Sequence, residues 1–129
     1  MSPETLVVSP VLLAEKEPLD DYATLYQFYE FPEGEEKTAI VSFIIEHSFL
    51  LSLLLEAYKH IYRIFGRGVK LQLELSRDPE ENFDELFIVI KSSYSAEEAQ
   101  ERLNKLDQVW FLNILDKVQG KLNITEEPL

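Results

Sequence analysis

The chain has no cysteine among its 129 residues. Its absence excludes a disulfide scaffold, a thiolate zinc site, an iron–sulfur cluster and a cysteine nucleophile. Glycine is scarce, with only Gly34, Gly66, Gly68 and Gly120. A phosphate-cradling glycine loop, a dinucleotide fingerprint and a serine nucleophile elbow each need a set glycine pattern that these four do not make, so none of the three is present. Positive charge is scarce too: 12 basic residues stand against 24 acidic ones, a net charge of −12. Such a surface repels phosphate backbones and anionic lipid, which argues against nucleic-acid and membrane-surface partners. The longest dense apolar run, Ala39 to Leu55, is interrupted by Glu46 and His47 and falls short of the roughly 20 residues a membrane helix needs. The first ten residues, MSPETLVVSP, lack the basic start of a secretory signal.

What is present fits one domain, since a single domain takes about 100–200 residues. The acid is unevenly spread. Residues 1–36 hold nine acidic residues and one base, Lys16; the rest of the chain is closer to balance. Residues 1–22 read as an acidic N-terminal arm containing LVVSPVLL, and residues 23–126 as a single α+β domain. The segregated acid is compatible with a basic protein partner, or serves solubility alone.

Residues 38–65 (TAIVSFIIEHSFLLSLLLEAYKHIYRIF) carry the densest apolar content. From Ser48 to Phe65, Leu51, Leu54, Leu55, Tyr58, Ile61, Tyr62 and Phe65 repeat at helical spacing, with Ser48 as N-cap and Gly66 as terminator. Before it, TAIVSFII (38–45) reads as a strand, or as the first turns of a longer helix; periodicity does not separate the two for a continuous apolar run. ATLYQFYEF (23–31) reads as an extra N-terminal strand, joined to it through the Pro32-Glu33-Gly34 turn. VKLQLELS (69–76) alternates strictly and is a half-buried strand. ELFIVIK (85–91), apolar on both faces, is a central strand. Ser95-Ala96-Glu97-Glu98 matches a capping box and opens a helix running to about Gln119, with Gly120 beyond its end. KLNIT (121–125) is a last short strand. The expected order from about residue 38 is βαββαβ, a ferredoxin-like two-layer sandwich.

Several residue groups are candidates for a site. Asp78, Glu80, Glu81, Asp84 and Glu85 gather around one turn, but without the register of a calcium loop, so a solvated hairpin accounts for them and no metal or cofactor is expected. Glu46 and His47 interrupt the apolar block and, with Tyr58 and Tyr62, would line a pocket for a small ligand or for acid–base chemistry. A strand-to-helix junction with its polar groups satisfied by capping accounts for them better. Lys59, Arg63 and Arg67 make a basic stripe too small for a nucleic-acid footprint.

The strongest feature is the end of the second helix. Up to Leu106 it is one-sided. Then Val109, Trp110, Phe111 and Leu112 point in four directions if the helix continues, and Leu115 adds to them. Either the N-terminal arm or a partner is expected to cover that surface.

The stretches LLLEAYKHIYRIFG (53–66), LELSRDPEE (73–81), SAEEAQERLNKLDQVW (95–110) and GKLNI (120–124) resemble a group of small acidic bacterial proteins, of cyanobacterial type, to which no function is assigned. The resemblance begins near Glu56 in the main and omits the first 37 residues. It implies a bacterial, cytoplasmic protein, one that travels beside a partner gene, and supplies no functional residues. The leading expectation is a protein-interaction or accessory protein that binds a protein partner or itself as a homo-oligomer. The alternative is a small-ligand binder or enzyme using the Glu46/His47 pocket.

Overall fold

Helix α3 (Phe49–Phe65) is the centre of the molecule, seen in a computed structural model that describes residues 20–129. Leu50, Leu53, Leu54, Ala57, Ile61 and Phe65 recur at helical spacing and are buried. Gly66 ends the helix at φ 83°, a left-handed angle that costs other residues a steric penalty. Two side chains then satisfy the last carbonyls: Tyr94 Oη donates to Phe65 O at 2.8 Å, and Arg102 Nη1 donates to Ile64 O. At the other end Ser48 occupies the cap position, but its backbone is already helical and its hydroxyl caps nothing.

Ahead of α3, the expected strands are replaced by helices. Residues 20–28 form α1, and Glu35–Glu46 form α2. In α2 the run buries Ile40, Phe43 and Ile44, an i, i+3, i+4 set, and leaves Ile45 exposed. A strand would have divided these residues between two faces. In α1, Leu25 is buried, and Tyr29 follows it one turn on. Tyr29 is buried and donates its hydroxyl to Leu54 O at 2.6 Å. Helices α2 and α3 meet at a bend of 110°. No single helix among the described residues is long and apolar enough to cross a membrane.

The second half of the expected order is present. Strand β1 (Lys70–Asp78) pairs antiparallel with β2 (Phe83–Ser92), with Leu71 opposite Ile90 and Leu73 opposite Ile88. Helix α4 (Ala96–Val109) crosses to β3 (Leu122–Pro128), which pairs parallel with β2. The sheet is therefore mixed and three-stranded, with β2 central. Its inner face, built from Leu71, Leu73, Leu86, Ile88, Ile90 and Leu122, packs into the same core as α3. The class is α+β. The ferredoxin-like order lacks its first strand, and the expected extra strand is reduced to one residue: Glu30 forms a single parallel bridge to Gln72. The arm, including LVVSPVLL, falls mostly outside the described residues.

One of the two bonds of the expected capping box forms: Ser95 Oγ accepts from the Glu98 N–H at 3.1 Å, while the Glu98 carboxylate accepts from Arg102 instead. The single helix expected to reach Gln119 does not form. Helix α4 stops at Val109, a 3-10 turn covers Phe111–Ile114, and a four-residue helix α5 (Leu115–Val118) follows.

Candidate functional site

Trp110 marks the break, with φ −144° and ψ −59°. The break keeps the division of faces that an unbroken helix would have at about 100° per residue. Trp110, Phe111, Ile114 and Val118 turn inward and are buried. Val109, Leu112 and Leu115 turn outward, at 51%, 55% and 47% exposure. The apolar excess is thus divided between two faces as helical periodicity divides it, and the outer face stays apolar. Of the expected interaction residues, Trp110 and Phe111 belong to the core. Val109, Leu112 and Leu115 form an outward row at three-residue intervals.

The row rests on a fixed base. The Trp110 indole stacks on the His60 ring, with centroids 4.8 Å apart and planes 16° from parallel. Its Nε1–H donates to Glu56 Oε1 at 3.3 Å. Glu56 and His60 lie one turn apart on α3, so one face of that helix holds both the edge and the face of the indole. Nothing in the sequence links these two residues to a tryptophan some fifty positions later. Burial, aided by the nearby Arg63 cation, pushes the His60 pKa down, and Glu56 opposes this. Beside the row, a cavity of about 650 Å³ opens between α3 and α4, bordered by His60, Arg63, Lys105 and Val109. One wall is stiffened by Arg102, which donates to Glu98 at 2.7 Å and lies 4.1 Å over the Tyr94 ring.

The other candidates are dispersed. His47 sits at the α2–α3 corner, its Nδ1 3.0 Å from Phe43 O and its ring against Phe43 and Phe49. Glu46 borders a separate depression with Arg77 and Asp84. Tyr58 and Tyr62 belong instead to an aromatic nest around Phe28, which stacks on Tyr58 at 4.1 Å. The expected pocket is therefore divided between two places with no ring contact in common. Of the basic stripe, Lys59 and Arg67 lie over the Tyr58 and Tyr62 rings, while Arg63 faces the α3–α4 cavity. In the acidic turn, Asp78 Oδ1 accepts from the Glu80 and Glu81 N–H groups, so the cluster organises its own loop. Among the described residues, no three carboxylates or imidazoles are arranged to hold a metal ion.

His60 faces an indole and a guanidinium rather than a hydroxyl, and the exposed row is apolar. No protein-family model matches this chain, and no match is found among curated proteins or solved structures.

Proposed function

We propose that this chain is a small bacterial, cytoplasmic accessory protein that acts by binding a protein partner. It works without a cofactor, nucleic acid or membrane. The observation that carries the reading is the exposed row Val109, Leu112 and Leu115, mounted on the buried Trp110. Three large aliphatic side chains displayed together on a rigid base favour burial by another surface, at about 25 cal/mol per Å² of apolar area covered.

The net charge of −12 makes two copies repel one another and attracts a less acidic partner. A heterologous, basic protein is therefore favoured over a homo-oligomer. The row's near neighbours are balanced, with Lys105 and Lys117 against Asp107 and Asp116, so the approach of a partner there meets no local barrier of like charge.

The test is co-purification of the tagged chain from its host beside the Leu112→Asp variant, with light scattering on the purified protein. A stoichiometric partner held by the native chain and lost from the variant supports the reading. A purified chain that is itself a dimer, split by Leu112→Asp, assigns the row to a homo-oligomer instead.

A further inference from the structure

The sheet ends in an open edge. The Glu30 N–H donates to Leu71 O at 2.7 Å, and the Leu73 N–H donates to Glu30 O at 3.0 Å. The odd-numbered residues of β1 therefore direct their backbone groups away from β2. Strand alternation gives Leu75 and Arg77 the same outward direction. After Glu30 the chain leaves the edge through Phe31 and Pro32 and enters α2. The Leu75 and Arg77 N–H groups are left with no partner among the described residues. An unpaired row of this kind is a template for another strand.

Helix α2 runs beside this edge without closing it. Its residues Glu36, Ile40, Phe43 and Glu46, three or four apart, line one side. Between helix and strand lie two cavities of about 340 and 380 Å³, and Leu75 borders both. They form one trough. Its floor is apolar, with Ile40, Phe43 and Leu73. Its rim carries Glu30, Glu36 and Glu74 at one end and Glu46 and Asp84 at the other, five carboxylates against Arg77 in the lining and Lys91 close enough to Glu30 and Glu74 to feel both.

We propose that this trough takes an extended, basic segment of a protein partner, which adds to β1 as a further strand. The segment's backbone carbonyls accept from the Leu75 and Arg77 N–H groups. Alternate side chains face opposite sides of a strand, so the recognised sequence alternates apolar residues with lysine or arginine. The apolar set sits on Leu75 and the trough floor. The basic set lies beside Glu74 and the other rim carboxylates. Charge selects this occupant over two others. A second copy would bring the same acidic rim against itself, and the chain's own first 19 residues carry Glu4, Glu15 and Glu17 against Lys16. The proposal rests on the protein-binding reading above but uses a different surface.

The experiment titrates the full-length, isotope-labelled chain with a blocked nine-residue peptide alternating lysine and valine, and with its glutamate–valine counterpart. The lysine peptide should bind, with the Leu75 and Arg77 amides shifted and slowed in hydrogen exchange, and should bind at least about tenfold more tightly than the glutamate peptide. Arg77→Pro, read against Arg77→Gln so that the lost cation is accounted for, removes an edge donor that the fold does not use, and Glu74→Lys reverses a rim charge on an exposed side chain; each should weaken binding about tenfold, the proline variant relative to the glutamine one. Leu112→Asp should leave it unchanged. Equal binding of the two peptides, indifference to both trough variants, or no binding at millimolar peptide would overturn the proposal. So would Leu75 and Arg77 amides already protected in the free chain, which would point to its own N-terminal segment, or protection that rises with protein concentration, which would point to a second copy. If a partner captured through the Leu112 row persists while the peptide fails, the trough proposal falls and the row stands. If the peptide binds as expected while no partner is captured through the row, the row falls and the trough stands.

Discussion

The His60 imidazole lies parallel to the Trp110 indole at a centroid separation of 4.8 Å. This contact joins α3 to the point where α4 breaks, and so fixes the direction in which Leu112 and Leu115 leave the surface. A protonated His60 would bring a second cation beside Arg63 within a part-buried site. Its pKa is lowered in the fold, so the neutral form stabilises the folded state. That contribution is complete above about pH 6.5, the unfolded value, and is lost as pH falls through the lower folded value. The melting temperature should therefore drop as pH falls below about 6.5, and His60→Gln should flatten that part of the profile. An unaltered slope in the variant would show that the stacked pair does not titrate as described.

Phe111 and Leu112 are adjacent but should behave oppositely. Phe111→Asp places a carboxylate in the core and should destabilise the fold by about 3 kcal/mol or more. Leu112→Asp acts at a side chain 55% exposed and should change stability by less than about 0.5 kcal/mol. Chemical denaturation of both variants checks this directly. Similar losses in the two would mean that Phe111 and Leu112 are not divided between core and surface as described.

Tyr29→Phe should cost about 1 kcal/mol. The hydroxyl is buried, which pushes its pKa well up, and it donates to a carbonyl within α3. Loss of this bond should loosen α1 against α3, seen as faster amide exchange in residues 20–28. No change in stability would place the hydroxyl in contact with water.

Ser95→Ala should also cost about 1 kcal/mol, because the Glu98 N–H loses its acceptor. Ser48→Ala should cost less than that, since the Ser48 hydroxyl caps nothing. Equal effects at the two serines, measured by urea denaturation, would contradict the difference between the helix starts.

Much of the second half of the fold is legible in the sequence. Strict alternation identifies β1, apolarity on both faces identifies β2 as central, and the Ser95–Glu98 spacing locates the start of α4. The stretch TAIVSFII carries no such signal. Its apolar run suits either element, and burial of Ile40, Phe43 and Ile44 against the core decides for helix. Glu30 keeps one residue of strand pairing because the chain turns at Phe31 and Pro32 before a second bridge forms. The break at Trp110 is hidden for another reason. No proline or glycine marks it. The apolar excess is visible in sequence, and so is its division: at about 100° per residue Trp110 and Phe111 continue the face of Leu106, and Val109, Leu112 and Leu115 fall opposite. Glu56 and His60, which hold the indole, become neighbours of Trp110 only through the packing of α3 against the end of α4.

Binding of a protein partner by the outward row is tested most directly by quantitative co-purification from the native host, comparing the native chain with a Leu112→Asp, Leu115→Asp double variant of matched stability and expression. The native chain should recover a single partner at near-stoichiometric level, and the double variant should lose it by at least about tenfold. Equal recovery of the same partner by both chains would contradict a binding role for the row.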